Sequence, residues 1–490
     1  LGPTPWAAFA WSFAVLVVPN LLFLSALQFL LAVATRSMLH TYIGAIAFLV
    51  LWTASDSLVS DLDSRWIGAL VDPSGGNAFS EHIRYWSAAQ YNSQLPELGG
   101  LLLGNRLLWL GMAVLLLVLA FRLFRTDREG LVLRRRKADA GAAAPAAAPA
   151  AAATLRLPTV QVREGPAARW TQYLRLALFD LRAALLGAPF LVMLVLGLLV
   201  IFTALQFGSS LFGTDVYPVT RQMLQAINNA MGVFLVVVVT FYAGELVWRE
   251  RAGRVAEATD AIALPDWVPL ASKMTALVGL VLAMFVAAAL FTVLWQLGHG
   301  FTAIEPGLYL KGIALAAIPF VLLAALALFL QVVTGNKFVG YLLMIVYLVA
   351  DAARSMLHFD HVLYAYASAT PLPYSDMNGY GHFLAPYLTV NAYWAALALA
   401  LLVVAALFWP RGTSLAWRDR LRQARARLRA PAAATLAVSL LAFAGLGGWI
   451  FYNTNVLNEY VPGDLAEERA ADYEKKYRRY KDLAQPRIAS

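Results

Sequence analysis

The chain contains no cysteine, which excludes structural disulfides and thiolate metal sites. Only 14% of its residues are charged, where a soluble protein carries about a quarter. There are six histidines, scattered, with no HExxH pair to hold zinc from one helix face. No GxxxxGKS/T loop is present, so the chain encodes no Walker-type nucleotide site. No GxSxG turn offers an exposed nucleophile. A leading Met and a signal peptide are both missing. The apolar runs alternate only weakly with period two, which argues against a membrane barrel. No catalytic motif is found among these residues.

What the chain has is apolar surface. Hydrophobic residues make up 60% and mean hydropathy is +0.65. Runs of about 20 residues recur, each long enough to cross a hydrocarbon core of about 30 Å. They predict ten helical spans: 6–34, 38–58, 101–124, 189–207, 227–247, 274–297, 308–333, 338–353, 387–409 and 432–452. Pro19 is expected to kink the first, because proline removes one backbone donor and crowds the preceding turn.

The net charge of +9 does not read as a nucleic-acid footprint, because the basic residues gather at span ends. One side holds Arg36, Arg122, Arg134–Arg136, Arg249, Arg251, Arg254, Lys337 and the run from Arg411 to Arg429. Loops on the other side hold Asp56, Asp61, Asp63, Asp72, Glu81 and Glu97 with few basic residues. The basic side is therefore expected in the cytoplasm, and parity then places 453–490 outside it. Residues 138–154, nearly all Ala with Pro145 and Pro149, read as a linker. The stretch 170–186 reads either as an amphipathic interfacial helix or as an extension of the next span.

A repeat organises the chain. Residues 24–42 (LSALQFLLAVATRSMLHTY) align with 323–341 (LAALALFLQVVTGNKFVGY), setting Thr35 on Thr334 and Tyr42 on Tyr341. Each copy continues into an aromatic-rich stretch, then a span opening with Asn and Trp (Asn105 and Trp109; Asn391 and Trp394), then an arginine cluster. Two similarly oriented membrane halves are a common transporter plan, with the pathway at their interface. The second copy has three further spans before Leu308 and the first has none before Trp6, so the chain is expected to be the middle of a longer polypeptide.

Candidate functional residues fall into three sets. The amides Asn20, Asn229 and Gln331 are the polar groups expected in spans along a pathway. The long loops 59–100 and 357–386, with Tyr85, Trp86, Asp376, Asn378 and Tyr380, read either as re-entrant or interfacial caps or as plain surface loops. The segment 242–275 leaves a span through Glu245 and Arg249, carries Glu250, Arg251, Arg254, Glu257 and Asp260, turns at Pro265–Asp266 and re-enters at Lys273. It reads either as a short helix on the membrane face where a soluble partner pushes, or as a solvated loop. His358 and His361 read as part of a solvated loop, and Asp351 with Arg354 as a one-turn ion pair.

The segment 242–275 resembles the cytoplasmic coupling loop of ABC-transporter permeases of the export-type fold with six spans per half. The matching residues are Gly244, Glu245, Trp248, Arg249, Glu250, Arg251, Arg254, Glu257, Asp260, Ala261, Pro265, Trp267, Val268, Leu270, Ser272 and Lys273. The resemblance is closest to a bacterial subgroup in which two permease halves are fused to a periplasmic zinc aminopeptidase of the gluzincin class. Further matching stretches run from Pro19 to Phe23, Thr35 to Ser37, Arg84 to Trp86, Asn105 to Trp109 and Ser375 to His382.

The resemblance implies an all-α polytopic membrane protein of two ABC-exporter-type halves, the first incomplete, with about ten spans plus one interfacial helix. Residues 1–137 would close the first half, 138–169 would link, 170–430 would form the second half, 431–453 an extra span, and 454–490 a periplasmic tether toward a missing peptidase domain. It implies a bacterial inner-membrane location and a permease driven by a separate cytoplasmic ATPase, in two copies, that holds ATP and Mg. Glu245, Arg249, Glu250, Arg251, Arg254, Glu257 and Asp260 would couple the two. Zinc would belong only to the missing peptidase. The cargo is expected to be a peptide or small molecule. Two rival readings stand beside it: an ATPase-driven anchor or mechanotransducer that transports nothing, and an ion-driven secondary transporter. The second should carry charges near span midpoints, and only amides stand there.

Overall fold

The computed structural model describes residues 6–35, 65–124, 165–208, 217–262, 264–357, 359–368, 370–412, 417–481 and 483, with isolated positions at 44, 48, 51, 52, 55, 210, 211, 214 and 215. The chain divides into two units, 1–161 and 162–490. Eight described helices are long and apolar enough to cross a membrane. The protein is thus an all-α, multi-pass membrane protein; its described strand structure is one two-residue ladder, Ser210–Leu211 with Thr214–Asp215. Apart from those isolated positions the expected span 38–58 lies outside the described residues, as does the whole linker 138–154.

The first unit begins with α1 (Trp6–Thr35). Its turn Phe13–Val17 is a π-turn, in which the Val18 N–H bonds to the Phe13 carbonyl five residues back. Pro19 follows at once. The wider turn takes up the crowding a proline ring imposes on the carbonyl four residues earlier. Three short helices, α2 (Arg65–Val71), α3 (Gly76–Ile83) and α4 (Ala88–Ser93), occupy the long loop and lead into α5 (Gly100–Leu123). A capping box between Ser87 and Gln90 starts α4. Phe23 and Ala26 of α1 pack on Trp109 and Ala113 of α5, with the Phe23 and Trp109 rings edge-on at 4.6 Å.

The second unit runs α6 (Pro166–Leu185), α7 (Ala188–Gly208), α8 (Thr220–Ala252), α9 (Ala256–Asp260) and α10 (Trp267–Gly298). It continues with α11 (Pro306–Thr334), α12 (Lys337–Met356), α13 (Leu384–Leu407), α14 (Trp417–Arg427), α15 (Ala430–Phe451) and α16 (Gly463–Tyr477). The expected span 338–353 is the helix α12. It carries Lys337, Asp351 and Arg354 and is not among the eight. Asp351 and Arg354 pair at 3.2 Å as their spacing predicts.

Helix α6 turns its small and polar side inward. Ala177, Asp180 and Ala184 are buried against α10, while Trp170, Leu174, Leu178 and Phe179 are exposed. That inversion suits a helix lying at a lipid interface. Helices α11, α13 and α15 share a core of Leu322, Ala325, Val390, Tyr393, Trp394, Ala398 and Ile450. The repeat is visible locally: Thr35 bonds back to the Leu31 carbonyl at 2.6 Å and Thr334 to the Leu330 carbonyl at 2.8 Å. In both copies the first span packs on the one opening with Asn and Trp, α1 on α5 and α11 on α13.

Candidate functional site

Helices α8 and α10, with 33 and 32 residues, are each about 50 Å long, well beyond the roughly 30 Å of a hydrocarbon core. The end of α8 that carries Arg249 and Arg251 and the end of α10 that carries Lys273 are joined through α9. The sequence favours this arrangement: apolar residues dominate from Ala230 to Ala243, then Glu245, Arg249, Glu250 and Arg251 follow within the same helix. Helical order is kept while the chain leaves the apolar zone.

Those helix ends are tied by a buried charge network. Asp180 of α6 has no exposed side-chain surface, and Lys273 of α10 is 1% exposed. Asp180 pairs with Arg249 of α8, accepts a hydrogen bond from the Ser272 hydroxyl at 3.1 Å, and lies 3.7 Å from the Lys273 ammonium. Lys273 in turn donates to Glu250 at 2.9 Å and lies over the Trp409 ring. Two carboxylates face two cations, so the charge is balanced. This balance makes such burial tolerable, because an isolated charge out of water is strongly unfavourable.

A second layer encloses α9. Arg251 reaches Asp260 at 3.9 Å and donates to the Gly412 carbonyl at 3.2 Å, while the Gly412 N–H donates to Asp260 at 3.0 Å. Asp266 receives Arg411 at 2.9 Å and Arg427 at 3.3 Å. Arg420 of α14, 4% exposed, donates to the Val332 and Val333 carbonyls at the end of α11 and to Phe408 at the end of α13. A guanidinium suits these unpaired helix-end carbonyls in number of donors and in charge. Burial pulls the Arg420 guanidinium below its ordinary value, helped by nearby Arg251. Burial does the same to Arg427, opposed by Asp266. Glu245 pairs with Lys337 of α12 at 2.5 Å.

Five of the seven expected coupling residues, Glu245, Arg249, Glu250, Arg251 and Asp260, are therefore occupied inside the unit. The other two, Arg254 and Glu257, are exposed, and their side chains meet no partner among the described residues. Arg254 takes a positive φ of 56°, which ends α8 and turns the chain into α9. Val255 and Ile262, each 51% exposed, and the partly exposed Trp267 flank the two charges.

The expected pathway amides have different partners. Gln331, in the last turn of α11, accepts a hydrogen bond from the Trp248 indole at 3.0 Å and ties α8 to α11. Asn20 belongs to a polar cluster of the first unit, where it accepts from Arg106 at 3.0 Å and donates to the Ser74 carbonyl at 2.9 Å. Asn105 completes that cluster by donating to the Ala69, Leu70 and Asp72 carbonyls that end α2. Asn229 lies exposed on α8. Its neighbour Asn228, not singled out from sequence, lines a cavity of about 350 Å³. The only hint in the sequence was the Asn-Asn pair itself.

The expected cap residues also differ in their surroundings. Tyr85 is 88% exposed beneath Arg84, and Trp86 packs edge-on to Tyr91. Asp376 and Asn378 are exposed in a tight turn closed by Ser375 and Gly379. Tyr380 borders the cavity. His361, expected in a solvated loop, is buried instead; its Nε2 meets Thr454 at 3.1 Å and Asn455 at 3.0 Å, and its Nδ1 accepts the Leu363 N–H. His358 lies outside the described residues. Among the described residues no group of three metal-ligating side chains assembles. Comparison with protein-family models, with curated proteins and with solved structures returns no match.

Proposed function

We propose that the chain is the permease part of an ATP-driven transporter, in which a separate cytoplasmic ATPase pushes on α9. One observation carries the reading. Two over-long helices end in a braced, charge-balanced collar, and the short helix between them leaves Arg254 and Glu257 unpaired beside exposed Val255 and Ile262. A solvated loop needs no such bracing. A docking site that transmits force does, because a push on a rigid collar moves the helices rather than the loop. In this reading ATP and Mg belong to the ATPase, and the chain's residues hold the docking surface and the path.

The test is charge reversal at the two unpaired positions. The chain, purified from its native membrane, should carry an ATPase with it. Glu257→Lys or Arg254→Glu should lower both the co-purified ATP hydrolysis and the amount of partner, while the protein still elutes as a single species. Wild-type recovery of ATPase in both variants would return α9 to a surface loop. The pairing of His361 with Thr454 and Asn455 favours a second reading, a lever that moves the tail helix α16 without transport. ATP-dependent flux in proteoliposomes separates the two.

A further inference from the structure

The cavity bounded by Asn228 lies between α8, α10, α11 and α13, under Leu372 and Tyr380 of the segment before α13. At about 350 Å³ it stands at the small end of ligand sites, which run from about 300 to 1,000 Å³. Leu224 and Tyr387, near the N-terminal ends of α8 and α13, border it; Phe285 and Phe320, at mid-helix, line it deeper in. No charged side chain lines it.

Three features show a built site rather than a packing defect. Pro319 interrupts α11 one residue before the cavity-lining Phe320. It has no N–H for the Leu315 carbonyl, and the Tyr387 hydroxyl donates to that carbonyl at 2.7 Å. The wall is thus a helix opened by proline and repaired by a side chain, the arrangement membrane helices use where they line a cavity. Gly312 allows the second wall to close in: a β-carbon there would come 2.8 Å from Leu224. Last, the cavity holds two uncommitted hydrogen-bonding side chains. Asn228 and Tyr380 have no partner among the described residues. An amide on a membrane helix without a partner is unfavourable. Burial, with Tyr374 adding to it, pushes the Tyr380 phenol above its ordinary value, so it stays a neutral donor.

We infer that this cavity binds the apolar body of a small neutral amphiphile whose amide, hydroxyl or ester end meets Asn228 and Tyr380. A formal charge on the bound portion is excluded by the chemistry, since no counter-charge lines the site and an unpaired ion there would be strongly disfavoured. The same recognition suits an apolar residue of a peptide or the end of a lipid chain. The assignment does not rest on ATP-driven transport, because it concerns binding alone.

The full chain in lipid nanodiscs would be irradiated with either of two diazirine probes, a photoreactive N-acetyl-leucinamide or a photoreactive monooctanoylglycerol. Labelled peptides would then be mapped. Saturable labelling around Leu224 and Phe320 is expected, competed by the unlabelled neutral compound and not by N-acetyl-leucine with its free carboxylate. Asn228→Leu and Tyr380→Phe should each weaken half-saturation about fivefold, the loss of one hydrogen bond. Neither side chain makes a hydrogen bond or ion pair among the described residues, and Tyr380→Phe keeps the ring that lies edge-on to Tyr374, so both variants should elute as the parent does. Labelling by the amide probe identifies a peptide site, and labelling by the glyceride a lipid site. No saturable labelling by either, equal competition by the carboxylate, or variants that bind like the parent would overturn the assignment.

Discussion

At the scale of single residues, burial decides which ion pairs matter. Glu245 and Lys337 are 37% and 25% exposed, and such a pair contributes about 0–1 kcal/mol after screening and side-chain ordering. Lys273, 1% exposed between Asp180 and Glu250, is a different case. Lys273→Met would leave two carboxylates with Arg249 alone, and breaking a buried pair from one side costs about 3–5 kcal/mol. We expect a loss of that size on unfolding in mixed micelles, and a much smaller one for Lys337→Met. Equal losses at the two sites would refute the argument from burial. The first unit has a comparable point at Gly75. Its φ is +74°, and a β-carbon there would sit 2.0 Å from the Arg106 guanidinium. Gly75→Ala should therefore cost about 1–2 kcal/mol in backbone strain alone and more as Arg106 leaves Asn20. An unfolding midpoint like the parent's would contradict the cluster.

At the scale of an element, α11 shows how a membrane helix tolerates proline. The Leu315 carbonyl, four residues before Pro319, is served by Tyr387 from α13. Tyr387→Phe should cost about 1–3 kcal/mol, the desolvation of one unmet carbonyl. In a Pro319→Ala background the restored N–H can take that carbonyl, and the same substitution should then cost little. The coupling in such a double-mutant cycle is the measured quantity; equal losses in both backgrounds would mean that the phenol does not replace the missing donor. Helix α1 handles its proline differently, by widening one turn ahead of Pro19. The sequence predicted a kink at Pro19, and the turn ahead of it widens instead, because proline's geometry alone does not choose between a kink, a π-turn and a borrowed donor.

At the scale of the whole molecule, the arginine asymmetry sets the expected orientation. Ala258 of α9 and Ala471 of α16 are both exposed and should lie on opposite sides of the membrane. The chain has no cysteine, so Ala258→Cys and Ala471→Cys are single-thiol probes. An impermeant thiol reagent on spheroplasts should label the second and spare the first. The reverse pattern would invert the topology and place α9 where no ATPase could reach it. Tyr380 and His361 would share the outer side with Ala471, because each is separated from the arginine-rich collar by one span.

Some of this was legible along the chain. Run length and hydropathy determined a helical membrane protein, because a span is a local property. The Asp351–Arg354 pair was legible for the same reason, since one helical turn sets the distance. The side of α9 was expected from arginine counting, which needs no packing. The partners were not legible. Asp180 is the one acidic residue in 170–186, and only packing of α6 on α10 brings it to Ser272, 92 residues away. Asn20 and Gln331 read as pathway amides, yet Arg106 and Trp248 take their hydrogen bonds. Asn228 and Asn229 are alike in sequence; about 100° of rotation per residue puts one on the cavity and leaves the other elsewhere. Local chemistry determined which segments are helices, and long-range packing decided which of their polar groups are already satisfied and which are left to meet something else.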